Sequence, residues 1–200
     1  MGVFIKHIIV FTSILLTPAK VENMTCLIKI EGIKAGAMYA SHNKINNMDY
    51  YSVATNVEMN LFVKIKITHK TISIYKDNQL IKSTVNSFIN NKNYTSQIVW
   101  DGHKYKIDCH THKYNYVDSS RTKPIYWSAS KMYFEKPTDN SEVITDTYGK
   151  ISFVKEVKAN QFKYETNESR RLFIYNNNGF VSASETNNRN MEIIRINDKP

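Results

Sequence analysis

Apolar and polar residues alternate with a period of two through most of the chain. From Tyr51 the odd positions are Tyr51, Val53, Thr55, Val57, Met59, Leu61, Val63, Ile65 and Ile67, while the even ones include Ser52, Asn56, Glu58, Asn60, Lys64 and Lys66. Successive strand side chains point to opposite faces, so this is a strand with one face buried and one wet. A two-residue hairpin pairs the residues flanking its turn and thereby swaps the parity of the buried face. Here the parity never swaps. The spacing predicts one long strand, bent near Asn60 and about 55 Å in length, with a hairpin of odd loop length as the second choice.

Shorter runs repeat the pattern. Cys26, Ile28 and Ile30 alternate against Lys29 and Glu31, and Tyr75, Leu80 and Phe88 fall in strand-like segments separated by "KDNQ" and "NNKN". In "IVWDGHKYKIDCHTH", Asp101-Gly102 is a turn signal that pairs Trp100 with His103 and puts Tyr94, Ser96, Ile98, Trp100, His103, Tyr105, Ile107, Cys109 and Thr111 on one face. Asp108, His110 and His112 then project from the other face, beside Lys104 and Lys106. Near the C-terminus, "RRLFIYNNNGFVSAS" reads as a hairpin turning at Asn178-Gly179. No segment keeps a helical period. The fold class that follows is all-β, a large curved antiparallel sheet forming a closed or half-open β-barrel.

The first nineteen residues break the pattern. Lys6, an apolar run from Ile8 to Leu16 and the small pair Pro18 and Ala19 have the layout of a secretory signal peptide, and the run is too short for a membrane-spanning helix. Residues 1–19 are therefore expected to be a leader and residues 20–200 a single antiparallel β domain, exported to a periplasmic or external compartment with no transmembrane segment left after cleavage. The formal charge of +9 falls by one when Lys6 leaves. The lysines are spread singly along the strands, not gathered in a patch, which argues against nucleic acid as a partner. An oxidising compartment allows a disulfide between the two cysteines, Cys26 and Cys109, and both equally suit small buried hydrophobes. The sequence leaves these two alternatives open.

Candidate chemistry is sparse. His110 and His112 stand two apart on a strand, as zinc ligands can, but no third ligand accompanies them and the neighbouring lysines repel a cation. No metal and no cofactor are expected. There is no nucleophile elbow, no zinc-protease helix and no glycine-rich phosphate loop. Cys109 and His110, adjacent on a strand, face opposite ways and form no dyad. Glu135, Asp139 and Glu142 read as a solvated acidic turn. No catalytic residue is expected, and the protein is read as non-enzymatic.

Residues 132–149, "MYFEKPTDNSEVITDTYG", carry an aromatic pair, an acidic residue and proline, a polar loop, an apolar strand and an acidic residue ahead of a glycine. With "KDNQLIKSTVNSFINNKNY" upstream and "RRLFIYNNNGFV" downstream, the chain resembles an uncharacterised family of exported bacterial β-proteins known only as a domain of unknown function, from about Glu31 to Ile196. That family usually has Glu-Pro where this chain has Glu135-Lys136-Pro137. The resemblance implies no catalytic residues. Within "SKMYFEKP", alternation places Met132 and Phe134 on one strand face and Tyr133 on the other, with Pro137 ending the strand. Tyr133, Phe134, Glu135, Pro137 and Gly149 are accordingly expected to form a structural motif.

Two functions suit this reading. One is a binding module, similar in outline to periplasmic lipoprotein carriers, holding a lipid or other apolar small molecule on an inner face of Tyr51, Val53, Val57, Leu61, Trp100, Tyr105 and Trp127. The other is a structural or interaction protein with a packed core, whose basic outer face meets an anionic envelope surface. Strand parity does not separate them, because a cavity and a packed core show the same apolar pattern.

Overall fold

The computed structural model describes residues 21–61, 63–186 and 190–196, and the expected leader lies outside the described residues. Eight strands come first, β1 (Val21–Ile30), β2 (Ile33–Ile45), β3 (Met48–Leu61), β4 (Val63–Lys76), β5 (Gln79–Ile89), β6 (Lys92–Trp100), β7 (Tyr105–His110) and β8 (Asn115–Asp118). An insert follows, with β9 (Trp127–Ser128), a single 3-10 turn (Lys131–Tyr133), β10 (Glu142–Ile144) and β11 (Ile151–Phe153). The chain then completes β12 (Lys155–Lys158), β13 (Gln161–Glu165), β14 (Arg170–Asn176), β15 (Gly179–Thr186) and β16 (Asn190–Ile196). All strands but β9, β10 and β11 belong to one 13-stranded sheet in the order β12-β13-β14-β15-β16-β1-β2-β3-β4-β5-β6-β7-β8. Every neighbour in it is antiparallel, with β16 against β1 joining the two runs of hairpins.

The turns explain why so few glycines suffice. Glu31-Gly32, Asn46-Asn47, Asp77-Asn78 and Asn90-Asn91 each hold two consecutive positive φ angles, the backbone of a two-residue turn matched to strand twist. Asparagine and aspartate tolerate that region because their short polar side chains bond locally.

Four sequence expectations need correction. The predicted single long strand is two strands, β3 and β4, paired along their length down to Leu61 opposite Val63. The chain returns with its buried face unchanged, so the odd-loop alternative holds. The Asp101-Gly102 turn is longer than two residues, since Trp100 pairs with Tyr105, not His103. The Asp101 carboxylate accepts the His103 and Lys104 amides at 3.0 Å each, which closes a four-residue loop. In the last hairpin Asn176 pairs with Gly179, so Asn177 and Asn178 form the turn. Gly179, at φ +102, begins β15, and the register shifts two residues later, where Tyr175 pairs with Phe180 but Ile174 with Ser182, so that Val181 is the extra residue of a bulge. Finally, Lys131–Tyr133 is a 3-10 turn with all three residues buried, not a strand with two faces.

The main sheet is not closed by strand pairing, since β8 and β12 are its two edges. The insert spans the gap. Lys150 lies 3.2 Å over the Tyr116 ring of β8, and Tyr114 donates to the Tyr148 carbonyl at 3.1 Å. On the other side Ser152 of β11 donates to the Glu165 carbonyl of β13 at 2.6 Å. Gly149 makes the contact with β7 so close that a Cβ there would lie 2.5 Å from Ile107 and 2.9 Å from Cys109, and its φ is +67. Residues of the expected motif from Tyr133 to Gly149 lie in this insert and make several of its contacts. Tyr133 packs edge-on against Phe173 and Phe180 at 5.3 and 5.1 Å, Tyr175 donates to the Met132 carbonyl at 2.6 Å, and Pro137 is buried.

Two apolar clusters fill the interior. The larger joins β1–β3 and β13–β16 to the insert through Met132, Tyr133, Val143 and Val154. The smaller joins β3–β7 to Ile125 and Ile144. Cys26 sits in the first cluster and Cys109 in the second, and both are free thiols, so the disulfide that the cysteine count allowed is not formed. Burial pushes their thiols up to about 12 and about 11, the behaviour of inert core residues.

Candidate ligand-binding cavity

Between the concave face of the sheet and the insert lies a cavity of about 260 Å³. Its apolar wall comes from β1, β3, β5 and β16, with Ile28, Ile30, Val53, Val57, Val85 and Ile193. Polar groups line the rest: His69 and Thr71 of β4, Ser87 of β5, Ser130 and Asp146 of the insert, and Arg171 and Glu185 of β14 and β15.

The polar groups belong to three networks. His69 stands opposite Ser87 across β4 and β5, with Nδ1 2.6 Å from the Ser87 hydroxyl and Nε2 3.0 Å from that of Thr71. Enclosure by protein, with the Arg171 charge nearby, lowers the imidazole to about 4. Asp146 accepts hydrogen bonds from Ser73 at 2.8 Å, Ser83 at 2.7 Å and the Ser130 amide at 2.9 Å. Burial raises its carboxyl above the ordinary value, and the Ser83, Ser130 and Ser73 hydrogen bonds work against that rise. Arg171 and Glu185 form an ion pair across β14 and β15. Burial would raise the Glu185 carboxyl, yet the Arg171 guanidinium and then the Ser169 hydroxyl hold it below its usual range.

His69 has a consequence for acid stability. Its folded value is depressed below 6.5, so between pH 6.5 and about 4 the unfolded chain binds a proton that the folded one refuses. Stability contributed by neutral His69 is therefore present above about pH 6.5 and is lost as pH falls toward 4. Urea unfolding between pH 7 and 4 is expected to give a steeper acid loss for the wild type than for His69→Gln. Parallel profiles would remove His69 as the cause.

Of the inner-face residues expected from the sequence, Val53 and Val57 line this cavity. Tyr51 and Tyr105 do not. They are buried in the smaller cluster, where Tyr105 donates to the Leu80 carbonyl at 2.8 Å and packs against Trp100, rings 4.8 Å apart. Tyr51 instead donates to Glu135, beside a second, polar depression that also includes Asp49, Asn78 and Lys131. Trp127 packs on the larger cluster and covers the Lys131 ammonium, which lies 4.7 Å from its ring and 4.8 Å from that of Tyr75. Leu61 ends β3, and its side chain is outside the described residues. Phe134 contacts both clusters. Asp108 and His110 are exposed, 2.9 Å from each other, yet His110, Thr111 and His112 also line the cavity with Tyr94, so the two histidines are not confined to the outer face; no group of three metal-ligating side chains occurs among the described residues.

The polar lining was the part that apolar alternation overlooked. Continuing the odd positions past Ile67 gives His69, Thr71, Ser73 and Tyr75, the same face with polar side chains. Polar residues on a face otherwise reserved for the core are the available signal.

The sequence matches the family described as "Domain of unknown function (DUF6134)" over residues 28–197. The chain belongs to that family. Among solved structures, this DUF6134 chain is similar to the crystal structure of a β-barrel-like protein of domain of unknown function DUF1849 from Brucella abortus. The TM-score is 0.53 at 9% identity, covering 87% of this chain and 95% of that one. At that identity the likeness speaks for the fold alone, a β-barrel-like curved sheet. No curated protein matches the DUF6134 chain.

Proposed function

We propose that the protein is an exported, non-enzymatic binding protein that encloses one small amphipathic molecule between its curved sheet and its insert. The observation that carries this reading is the cavity of about 260 Å³, apolar on one side and lined by His69, Asp146, Arg171 and Glu185 on the other. A densely packed interior would leave no such space. Engineered apolar cavities of about 150 Å³ already take up benzene, so this one has room for a compact ligand, below the usual range of roughly 300–1,000 Å³ for drug-sized sites. A molecule of two long acyl chains is too large for it. Within the expected class of a lipid or other apolar small molecule, this favours the smaller members. Export rests on the arrangement of Lys6, Ile8–Leu16 and Ala19.

Native mass spectrometry of the protein purified after export tests the reading. The expected result is a fraction carrying an added small-molecule mass that disappears on denaturation. Val57→Phe, which extends a buried wall residue into the cavity, is expected to abolish the added mass while leaving the melting temperature within about 3 °C, since the new ring fills existing space. A variant that retains the bound mass in full would show that the ligand sits elsewhere.

A further inference from the structure

The cavity reading leaves open which chemical group the polar end accepts. We infer that the Arg171 and Tyr133 end of the cavity is a hydrogen-bond donor site for an uncharged acceptor, a carbonyl or ester oxygen, on the enclosed molecule. This inference rests on the ligand cavity proposed above.

The donors are in place before any ligand enters. Tyr133 comes from the 3-10 turn of the insert and Arg171 from β14, and both line the cavity. Arg171 Nη1 lies 3.4 Å from the Tyr133 hydroxyl, which accepts that long contact and keeps its own proton free to donate. Nη2 is committed to Glu185. Nε is buried and has no acceptor. Buried donors are nearly always paired, because an unpaired one has lost water and gained nothing in return. Three N–H or O–H groups, from Nε, Nη1 and the Tyr133 hydroxyl, therefore have hydrogen-bonding capacity that protein atoms leave wholly or partly unused.

Charge decides between an ionic and a neutral acceptor. Glu185 already neutralises Arg171, and Asp146 lines the same cavity. His69, neutral above about pH 4, adds no compensating positive charge. A carboxylate entering this space would lose its hydration and meet no net positive charge, whereas an ester or ketone loses far less on desolvation. The apolar remainder of such a molecule fits against Val53, Val57 and Ile193 on the opposite wall.

NMR titrations of the protein purified after export, stripped of bound small molecules, with octane, methyl octanoate and octanoate at pH 7 test this. The expected order is methyl octanoate tighter than octane and tighter than octanoate, each by at least about tenfold, or about 1.4 kcal/mol. Tyr133→Phe removes one donor but keeps the ion pair, and is expected to weaken methyl octanoate about five- to tenfold while leaving octane unchanged. Arg171→Met, where it folds, is expected to abolish the ester preference. Equal binding of ester and alkane, untouched by Tyr133→Phe, would overturn the donor site and leave the cavity reading standing. Octanoate binding tighter than the ester would overturn the neutral acceptor. If none of the three binds, the cavity reading fails and takes this inference with it.

Discussion

Gly36→Ala is expected to destabilise the protein by about 3 kcal/mol and to lower its melting temperature by roughly 6–12 °C. Gly36 lies inside β2, opposite Ile28 of β1 and Val57 of β3. A Cβ there would stand 2.0 Å from the Asn56 carbonyl oxygen and 2.9 Å from the Val57 Cα. Both are backbone atoms in the middle of a paired strand, so neither can rotate away. Ala normally gains about 0.4–1 kcal/mol over Gly by restricting the unfolded chain, and this gain is too small to offset the clash. The register between β1 and β2 shifts beside the same position, where Ile28 pairs with Gly36 but Lys29 with Lys34. Ala35 is the extra, buried residue of that bulge. The glycine therefore lets two strands approach where the sheet bends around the cavity wall of Ile28 and Val57. A matched change, Gly32→Ala, has open space around it and only the positive φ of +78 to strain it, so about 1 kcal/mol is expected there. Thermal unfolding of the two variants side by side checks the contrast. Equal losses would refute the steric account.

Parity explains both what could be read and what could not. The faces of β7 came out as expected, with Tyr105, Ile107 and Cys109 buried and Lys106, Asp108 and His110 exposed. The turn before it did not, because a four-residue loop changes parity just as a two-residue loop does. Likewise, a return that pairs Leu61 with Val63 leaves parity untouched and is invisible to alternation. The insert escaped for a different reason. Lys131, Met132 and Tyr133 are all buried, one of them charged, because they lie between two walls and not on one. Lys131 is tolerated there because Tyr75, Trp127 and Glu135 surround its ammonium, and none of those contacts follows from its sequence neighbours. The cavity's polar end is assembled from β4, β5, β14, β15 and the insert, and alternation along a single strand contains no information about which strands face each other.

Arg171→Met is expected to cost about 3–5 kcal/mol, because it strands the Glu185 carboxylate in a protein-enclosed site without its partner. The pair keeps only 18% and 17% of side-chain surface accessible. The double variant Arg171→Met with Glu185→Leu is expected to recover most of that loss, since two apolar side chains need neither hydration nor a counter-charge. The pH dependence separates this from a packing defect. In the wild type Glu185 is held below its usual 4.5, so the pair contributes stability above that pH and loses it as pH falls through the lower folded value. In Arg171→Met the carboxyl has lost the charge that lowered it, burial raises it, and it takes up a proton readily. The difference in stability between wild type and single variant should therefore shrink below about pH 4.5 and be largest near pH 7. A gap that stays constant with pH would mean that Met fills the site poorly and that charge has little to do with the loss. If the double variant is as stable as the wild type but no longer prefers methyl octanoate to octane, the ion pair serves ligand recognition and not the fold. Keeping a buried charge pair where two apolar residues would serve stability equally well is then explained by the enclosed molecule, which needs the donors that Arg171 supplies and the neutrality that Glu185 maintains.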